Sequence, residues 1–315
     1  MPEWRPFGPR EIAQLSATVS PASGKRYGVE RVCAMFAQPR SSFYAWQRSA
    51  APASNEGALL PLKRGPKRVM SDVELLDFIR TDLAASPFQG EGYRKVWARL
   101  RVQRGVRVSA KRVLRLMREN QLLSPWRGRQ ATGPKHDGKI VTDAPNQMWG
   151  TDGTKIFTVE DGWVWLFTAI EHWNAECVGW HVAKVGSRYA ALEPVSMAMK
   201  NIYGAVAADT ARGLALRMDH GTQYLSDHFL NQVRFWGIQP SFGFIREPET
   251  NGVAERFNRT LKEQAIYGRI FRNIDEVRTA VAKFIDNYND HWLIQKLGHR
   301  SPAQARRDLR MAKAA

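Results

Sequence analysis

Thirty-five residues separate Asp219 from Glu255, and that interval constrains the fold more than any other feature of the chain. It holds one helix and one strand before a further helix must carry the glutamate back to the aspartate. A third acid, Asp152, lies upstream in the run Trp149-Gly150-Thr151-Asp152-Gly153-Thr154. Three hard oxygen ligands on a basic protein suit a pair of Mg²⁺ ions. Two such ions activate an attacking oxygen and stabilise a leaving one on phosphorus. The arrangement points to phosphoryl transfer on DNA.

Charge supports a polyanionic partner. Of 315 residues, 47 are Lys or Arg and 30 are Asp or Glu, leaving a net charge of +17. Such an excess is the footprint of a nucleic-acid binder rather than of a membrane protein. No apolar stretch approaches the length of a membrane span, and the N-terminus lacks the plan of a signal peptide. The two cysteines, Cys33 and Cys177, have no metal-ligand neighbours and read as reduced thiols of a cytoplasmic protein. There is no phosphate-binding Gly-rich loop ending in Gly-Lys-Ser/Thr, so no ATP hydrolysis is expected. No His-Glu-x-x-His pair or Cys/His zinc pattern occurs either.

Periodicity divides the chain. Residues 1–24 read as irregular, and 25–48 as a small helical, helix-turn-helix-like module in which Val29, Val32, Cys33 and Phe36 recur at helical spacing. A basic linker over 49–70 leads to a second helical module, 71–123, whose first helix starts at Ser71 and Asp72 with Val73, Leu76, Ile79 and Leu83 along one face. Arg94 to Arg129 carry twelve basic residues against the single acid Glu119. Within that block Ser109 caps a helix bearing Lys111, Arg112, Arg115 and Arg118, which with Arg94 are the expected DNA contacts of a helix-turn-helix. A second basic linker covers 124–146.

From residue 147 to 270 the pattern becomes α/β. Strands are expected at Trp149 to Thr158, Trp163 to Ile170 and Cys177 to Ala183, the first two joined by the turn Glu160-Asp161-Gly162. A helix at Ser187 to Ile202, a strand at Leu214 to Met218, a helix at Ser226 to Trp236, a strand at Gln239 to Phe244 and a helix from Asn251 to Tyr267 follow. Three antiparallel strands and then alternating helices and strands is the order of an RNase H-like core. Residues 271–315 form a C-terminal helical segment with a helix at Asp275 to Asn289.

Taken singly, each acid has an ordinary explanation. Asp152 suits a strand edge, Asp-His-Gly is a common turn, and a helical glutamate is usually just solvated. Their order and the face of the last core helix change that balance. Asn251, Glu255, Asn258, Arg259 and Lys262 share one face, while Val253, Phe257 and Leu261 occupy another. Lys262, Arg259 and Asn258 are therefore expected to touch DNA beside the metals. Gln223 and Tyr224, close after Asp219, are expected to touch a phosphate or a base.

The residues Gly92-Tyr93-Arg94, Lys111-Arg112-Val113-Leu114-Arg115-Leu116-Met117, Asp219-His220-Gly221-Thr222-Gln223-Tyr224 and Asn251-Gly252-Val253-Ala254-Glu255-Arg256-Phe257-Asn258 resemble the downstream-frame transposases of the IS3 family of insertion sequences. The likeness runs from about Tyr27 to the C-terminus. It implies a retroviral-integrase-like catalytic core whose DDE triad is Asp152, Asp219 and Glu255, with a basic residue seven positions after the glutamate at Lys262. It also implies Mg²⁺ or Mn²⁺ as cofactor, two ions per active site. The implied reaction is nicking at the ends of the element and attack of the freed 3′-OH on a second phosphodiester. Implied partners are double-stranded DNA at terminal inverted repeats and targets, further copies of the chain on DNA, and an upstream-frame polypeptide. Trp292 and Ile294 depart from the family, many members of which carry Arg and His there. A non-catalytic DNA-binding regulator of transposition and an RNase H-like nuclease without joining activity are the alternatives.

If the basic block meets ~6 phosphates, the logarithm of DNA affinity falls against the logarithm of salt concentration with a slope of about −5. Titration by fluorescence anisotropy across a fourfold or greater salt range checks this, and affinity independent of salt would remove the block from the DNA interface.

Overall fold

The protein was analysed as a computed structural model, which describes residues 8–50, 70–124, 141–243 and 251–314. The chain divides into two compact units, 1–68 and 69–315. Most of both expected linkers, 51–69 and 125–140, lies outside the described residues.

The first unit is a three-helix cluster of α1 (Pro9–Ala17), α2 (Val29–Met35) and α3 (Arg40–Ala50). The expectation of an irregular segment over 1–24 is corrected by α1. Glu11 turns its carboxylate back to accept from the Gly8 amide, Pro9 presets the first turn, and Ile12 is buried with Val32, Cys33 and Phe43. A Val19–Arg26 bridge closes the turn before α2.

The second unit begins with α4 (Asp72–Ala85), α5 (Tyr93–Gln103) and α6 (Ala110–Glu119). Ser71 and Glu74 cap α4 reciprocally, at 3.1 and 2.8 Å, and Ser109 accepts from the Arg112 amide at the start of α6. These helices enclose Leu75, Ile79, Val96, Leu100, Val113, Leu116 and Met117. The expected inward face of α4 is corrected: Val73 is exposed, and Leu75, Ile79 and Asp82 point inward. Asp82 breaks the apolar period because its partner is also buried. Arg99 grips Asp82 at 2.7–3.0 Å and Glu91 at 2.5 Å.

The α/β core holds five strands, β1 (Met148–Thr158), β2 (Gly162–Glu171), β3 (Cys177–Ala183), β4 (Ala215–Met218) and β5 (Gln239–Phe242), in the order β3-β2-β1-β4-β5. The first three are antiparallel, and β4 and β5 run parallel to β1. On one face, α7 (Arg188–Tyr203) and α8 (Asp227–Phe235) pack over Trp149, Phe167 and Leu216. Gly179 is required here, because a Cβ would sit 1.9 Å from the Pro194 carbonyl oxygen where α7 crosses β3. The other face is covered by α9 (Gly252–Leu261), which continues as a π-turn over Lys262–Ile266, and by α10 (Ile274–His291). A last helix, α11 (Pro302–Ala314), is pinned by Arg306 to Glu176 and by the Asn174 amide, which donates to the Pro302 carbonyl at 2.9 Å. This is the integrase-type, RNase H-like core, with a helical module ahead of it.

Helical module and core are joined by packing. Phe88 enters the α9–α10 layer edge-on to Trp292 and Phe284, and Lys95 lies over the Trp292 ring. Gln89 and Gln264 exchange two hydrogen bonds, at 2.9 and 2.7 Å. Trp292, one of the two departures from the family pattern, is thus an anchor between them.

Side chains of Arg99, Asp82 and Glu91 are only 9%, 6% and 0% exposed. Replacing Arg99 with Met strands two buried carboxylates and is expected to cost ~3–5 kcal/mol in urea denaturation, whereas apolar replacement of all three residues recovers most of the loss. Equal stability of Arg99→Met and wild type would show that the cluster does not hold the module.

Candidate active site

Asp152 sits in the middle of β1, opposite Thr168 of β2. Thr168 donates to the Asn258 carbonyl oxygen at 3.2 Å, and the Asn258 amide nitrogen donates to Asp152 Oδ2 at 2.8 Å. Thr168 therefore fixes which way the amide faces, and the amide fixes the carboxylate. The Gly153 amide holds the other oxygen at 2.8 Å. Burial drives the Asp152 pKa above the ordinary carboxylate value, with the charge of Asp219 adding to it. Asn258, Gly153 and the charge of Lys262 oppose that rise without cancelling it.

Register explains why Asp219 is near. Parallel pairing of β1 with β4 ends at Gly150 against Arg217, two residues short of each aspartate, so both acids emerge at the same end of the strand pair, close enough for the charge of Asp219 to act on Asp152. Asp219 lies just past the end of β4, exposed, with Oδ1 accepting from the Gly221 amide at 2.9 Å. The C-terminal end of a parallel strand is where α/β sheets present ligand-binding groups.

Helix α9 supplies the remaining side. Asn251, Glu255, Asn258 and Lys262 recur at intervals of four, three and four, a single stripe on the helix. Asn251 donates to the Thr151 carbonyl at 3.0 Å and Asn258 to Asp152, so the stripe is sewn to β1 at its first and third members. Glu255 lies between them and is exposed. The close approach depends on Gly150, where a Cβ would meet Asn251 Oδ1 at 2.9 Å and His172 Nε2 at 3.0 Å. His172 is buried and held neutral, its pKa lowered to about 4 by desolvation and then by Lys296 and Arg217. Phe257 and Leu261, both buried, seat α9 on the sheet and contribute roughly 2 kcal/mol each.

The donor set fits a hard divalent cation. The charge of Asp219 raises the cost of charge on Asp152, and a cation held by the two would remove that cost. Among the described residues, however, no three His, Cys, Asp or Glu side chains converge as a metal cage. The structure brings Asp152 and Asp219 together and sets Glu255 on the adjacent stripe, outside that pair.

Several expected DNA contacts are placed elsewhere. Tyr224 is fully buried, edge-on to Phe167 and Phe229, so it is a core residue and not a contact to phosphate or base. Asn258 is buried and positions Asp152. Arg112 is committed to Asp72 at 2.6–2.7 Å and to the Met70 carbonyl, and Arg115 to Asp72 and Glu119, because α6 must be fastened to the start of α4. Arg94 reaches Gln295 at 3.3 Å, and Arg259 pairs with Glu263 at 3.0 Å. Lys111 and Arg118 are exposed on α6, and Gln223 is half-buried. Sequence reasoning missed Thr168, whose signal was a hydroxyl in an otherwise apolar strand, and Asn251 as a backbone clamp.

The chain matches the family model of the integrase core domain over residues 142–248, a second integrase core domain model over 236–302, and that of an HTH-like domain over 90–130. It is 29% identical over 224 residues to the transposase for insertion sequence element IS629 of Shigella sonnei, covering 68% of this chain and 73% of that one. It is 30% identical over 223 residues to the transposase InsD of insertion element IS2 from Escherichia coli, covering 68% of this chain and 72% of the relative. In backbone, the simian T-cell lymphotropic virus intasome, solved in complex with a PP2A regulatory subunit, aligns with 75% of this chain and 74% of that chain, at a TM-score of 0.43 and 15% identity.

Because its folded pKa is raised, Asp152 contributes stability that is fully present below the unfolded-state value of 3.8 and is lost as pH rises through the folded value. Without metal, Asp152→Asn is therefore expected to melt higher than wild type at pH 7 and to converge with it below 3.8, as read by calorimetry in EDTA. A variant less stable than wild type at pH 7 would show that burial does not dominate at this carboxylate.

Proposed function

The chain belongs to the IS3 family of insertion-sequence transposases and is a DNA strand transferase, in which we propose that Asp152, Asp219 and Glu255 form the catalytic triad. The proximity of Asp219 to Asp152, where the paired ends of β1 and β4 release both acids, carries this reading. Asp152 and Asp219 would hold Mg²⁺ or Mn²⁺, and Glu255 would join them from the α9 stripe, with two ions in each active site. Bound there, the ions supply activation of the attacking oxygen and stabilisation of the leaving one.

The side chains themselves do the positioning. Asn258 and the Gly153 amide keep the two oxygens of Asp152 in fixed directions, which preorganises the site before substrate arrives. Lys262, close enough to act on the charge of Asp152, receives a non-bridging phosphate oxygen. In the nicking step water attacks phosphorus and the 3′ oxygen leaves as a 3′-OH. In the transfer step that 3′-OH attacks a second phosphodiester and another 3′ oxygen leaves. One P–O bond forms and one breaks each time, so no nucleotide triphosphate is consumed.

The α4–α6 module binds the DNA outside the reacting phosphate, with Lys111 and Arg118 among its exposed cations. The substrates are the terminal inverted repeats of the element and a target duplex. Two ends must be processed together, so the working species is a homo-oligomer assembled on DNA. No described helix is long and apolar enough to cross a membrane.

The test is a Mg²⁺-dependent nicking and joining assay on labelled element ends. Asp152→Asn, Asp219→Asn and Glu255→Gln are expected to reduce both products to background while DNA binding survives. Binding without cleavage by the wild type would favour a regulator, and cleavage without joined product a nuclease.

A further inference from the structure

At the start of α9, two buried polar atoms crowd the same glycine. Asn251 is 4% exposed and His172 5%, and neither Asn251 Oδ1 nor His172 Nε2 has a hydrogen-bond partner among the described residues. A Cβ on Gly150 would lie 2.9 Å from the first atom and 3.0 Å from the second. The Asn251 amide nitrogen donates to the Thr151 carbonyl at 3.0 Å, so the amide is not free to turn over, and its oxygen is left asking for a donor. His172 is pinned at its backbone, whose amide donates to the Met148 carbonyl at 3.0 Å and whose carbonyl accepts from Lys296 Nζ at 2.9 Å. Its Nε2 is left over. A buried donor and a buried acceptor, both unmet, cost more than carbon filling the same space, so a histidine kept here for packing alone is a poor choice.

We propose that His172 is a positioning residue for nicking and strand transfer, its Nε2–H donating to Asn251 Oδ1 over the Cα of Gly150. The inference rests on the reading of Asp152 and Glu255 as members of the triad. Burial keeps the imidazole neutral, so one ring nitrogen carries a proton and the other does not. Asn251 offers only an oxygen on this side, which places the proton on Nε2. The bond completes a relay that runs from the residue after β2, through Asn251, to the Thr151 carbonyl, in the peptide that leads into Asp152. Glu255 stands one helical turn after Asn251 on the same stripe, so whatever holds Asn251 also sets the depth and rotation at which Glu255 approaches Asp152. Gly150 belongs to the relay, since a side chain there would collide with donor and acceptor alike. A phenyl ring in place of the imidazole would fill the space and hold nothing.

Two measurements on the full-length protein test this. In the first, NMR of isotope-labelled imidazole nitrogens reads the wild type at pH 7 without metal or DNA, with His172→Gln identifying the His172 signals. The Nε2–H tautomer is expected, with an Nε2 resonance that moves in Asn251→Ala. The Nδ1–H tautomer, or a resonance indifferent to Asn251→Ala, would overturn the proposal. In the second, Mg²⁺-dependent nicking of labelled element ends is followed for His172→Phe, His172→Asn and His172→Gln. The amide nitrogen of a glutamine reaches the place of Nε2, whereas that of an asparagine reaches only the place of Nδ1. His172→Phe and His172→Asn are expected to lower kcat roughly 10-fold with KM for DNA unchanged, as for one lost hydrogen bond, and His172→Gln to recover most of the loss. In a double-mutant cycle, His172→Phe should cost little once Asn251→Ala is present. No loss in any variant, a loss that glutamine does not recover, or additive losses in the cycle would assign His172 to packing and overturn the proposal. Since the tautomer is read in the wild type, it decides the matter even where His172→Phe does not fold. A failed triad shows itself separately, as cleavage that survives Asp152→Asn or Glu255→Gln. Conversely, His172→Phe as fast as wild type beside inactive triad variants would refute the role of His172 alone.

Discussion

The hydrogen bond from Asn258 to Asp152 is the contact on which the arrangement of the core turns. A carboxylate in the interior of a strand is costly to desolvate, and the nearby charge of Asp219 adds to that cost. The protein offsets part of that cost with a neutral amide rather than with a cation. A tight arginine pair would have pulled the carboxylate pKa down and occupied its oxygens, leaving nothing for a metal. The amide orients the group and leaves it under-compensated, which is a useful state for a ligand. Gly150, Asn251, Phe257 and Leu261 then read as parts of one device that seats α9 closely enough for the amide to reach.

The basic block divides into inward and outward charge. Arg99 spends its charge on Asp82 and Glu91, and Arg112 and Arg115 spend much of theirs on Asp72. These arginines make the small helical module possible, since a three-helix unit with so modest an apolar centre profits from polar fastening at its ends. Lys111 and Arg118 remain on the outer face of the same helix. Sequence charge alone therefore overstates what the module offers to phosphate.

Much of the core was legible because its strands are nearly continuous apolar runs and its helices begin at serines. Ser187 and Ser226 cap α7 and α8 where expected, and β3 spans the expected residues. The failures have specific causes. Helix α1 is capped by a glutamate folding back on a glycine, so the usual Ser or Asp signal is missing. The inner face of α4 contains a charge whose partner is 17 residues away, and no local period reveals that. Asn258 and Tyr224 look like surface polar groups in sequence, and only the sheet shows that one supports a carboxylate and the other fills the space between Phe167 and Phe229. The stripe on α9 was visible from spacing, yet the direction it faces depends on a glycine a hundred residues earlier.

Beyond Gly150, one edge of β1 has no strand partner among the described residues until Thr158, and this has one more consequence, for the solubility of the chain. An unpaired strand edge is a template for the backbone of another molecule, and long, flat, apolar edges seed aggregation. Here the exposed stretch is short and bears a lysine at Lys155, and the Thr158–Phe271 bridge closes it at its far end. A sheet left open beside the Asp152–Asp219 pair is thereby kept from templating its own kind.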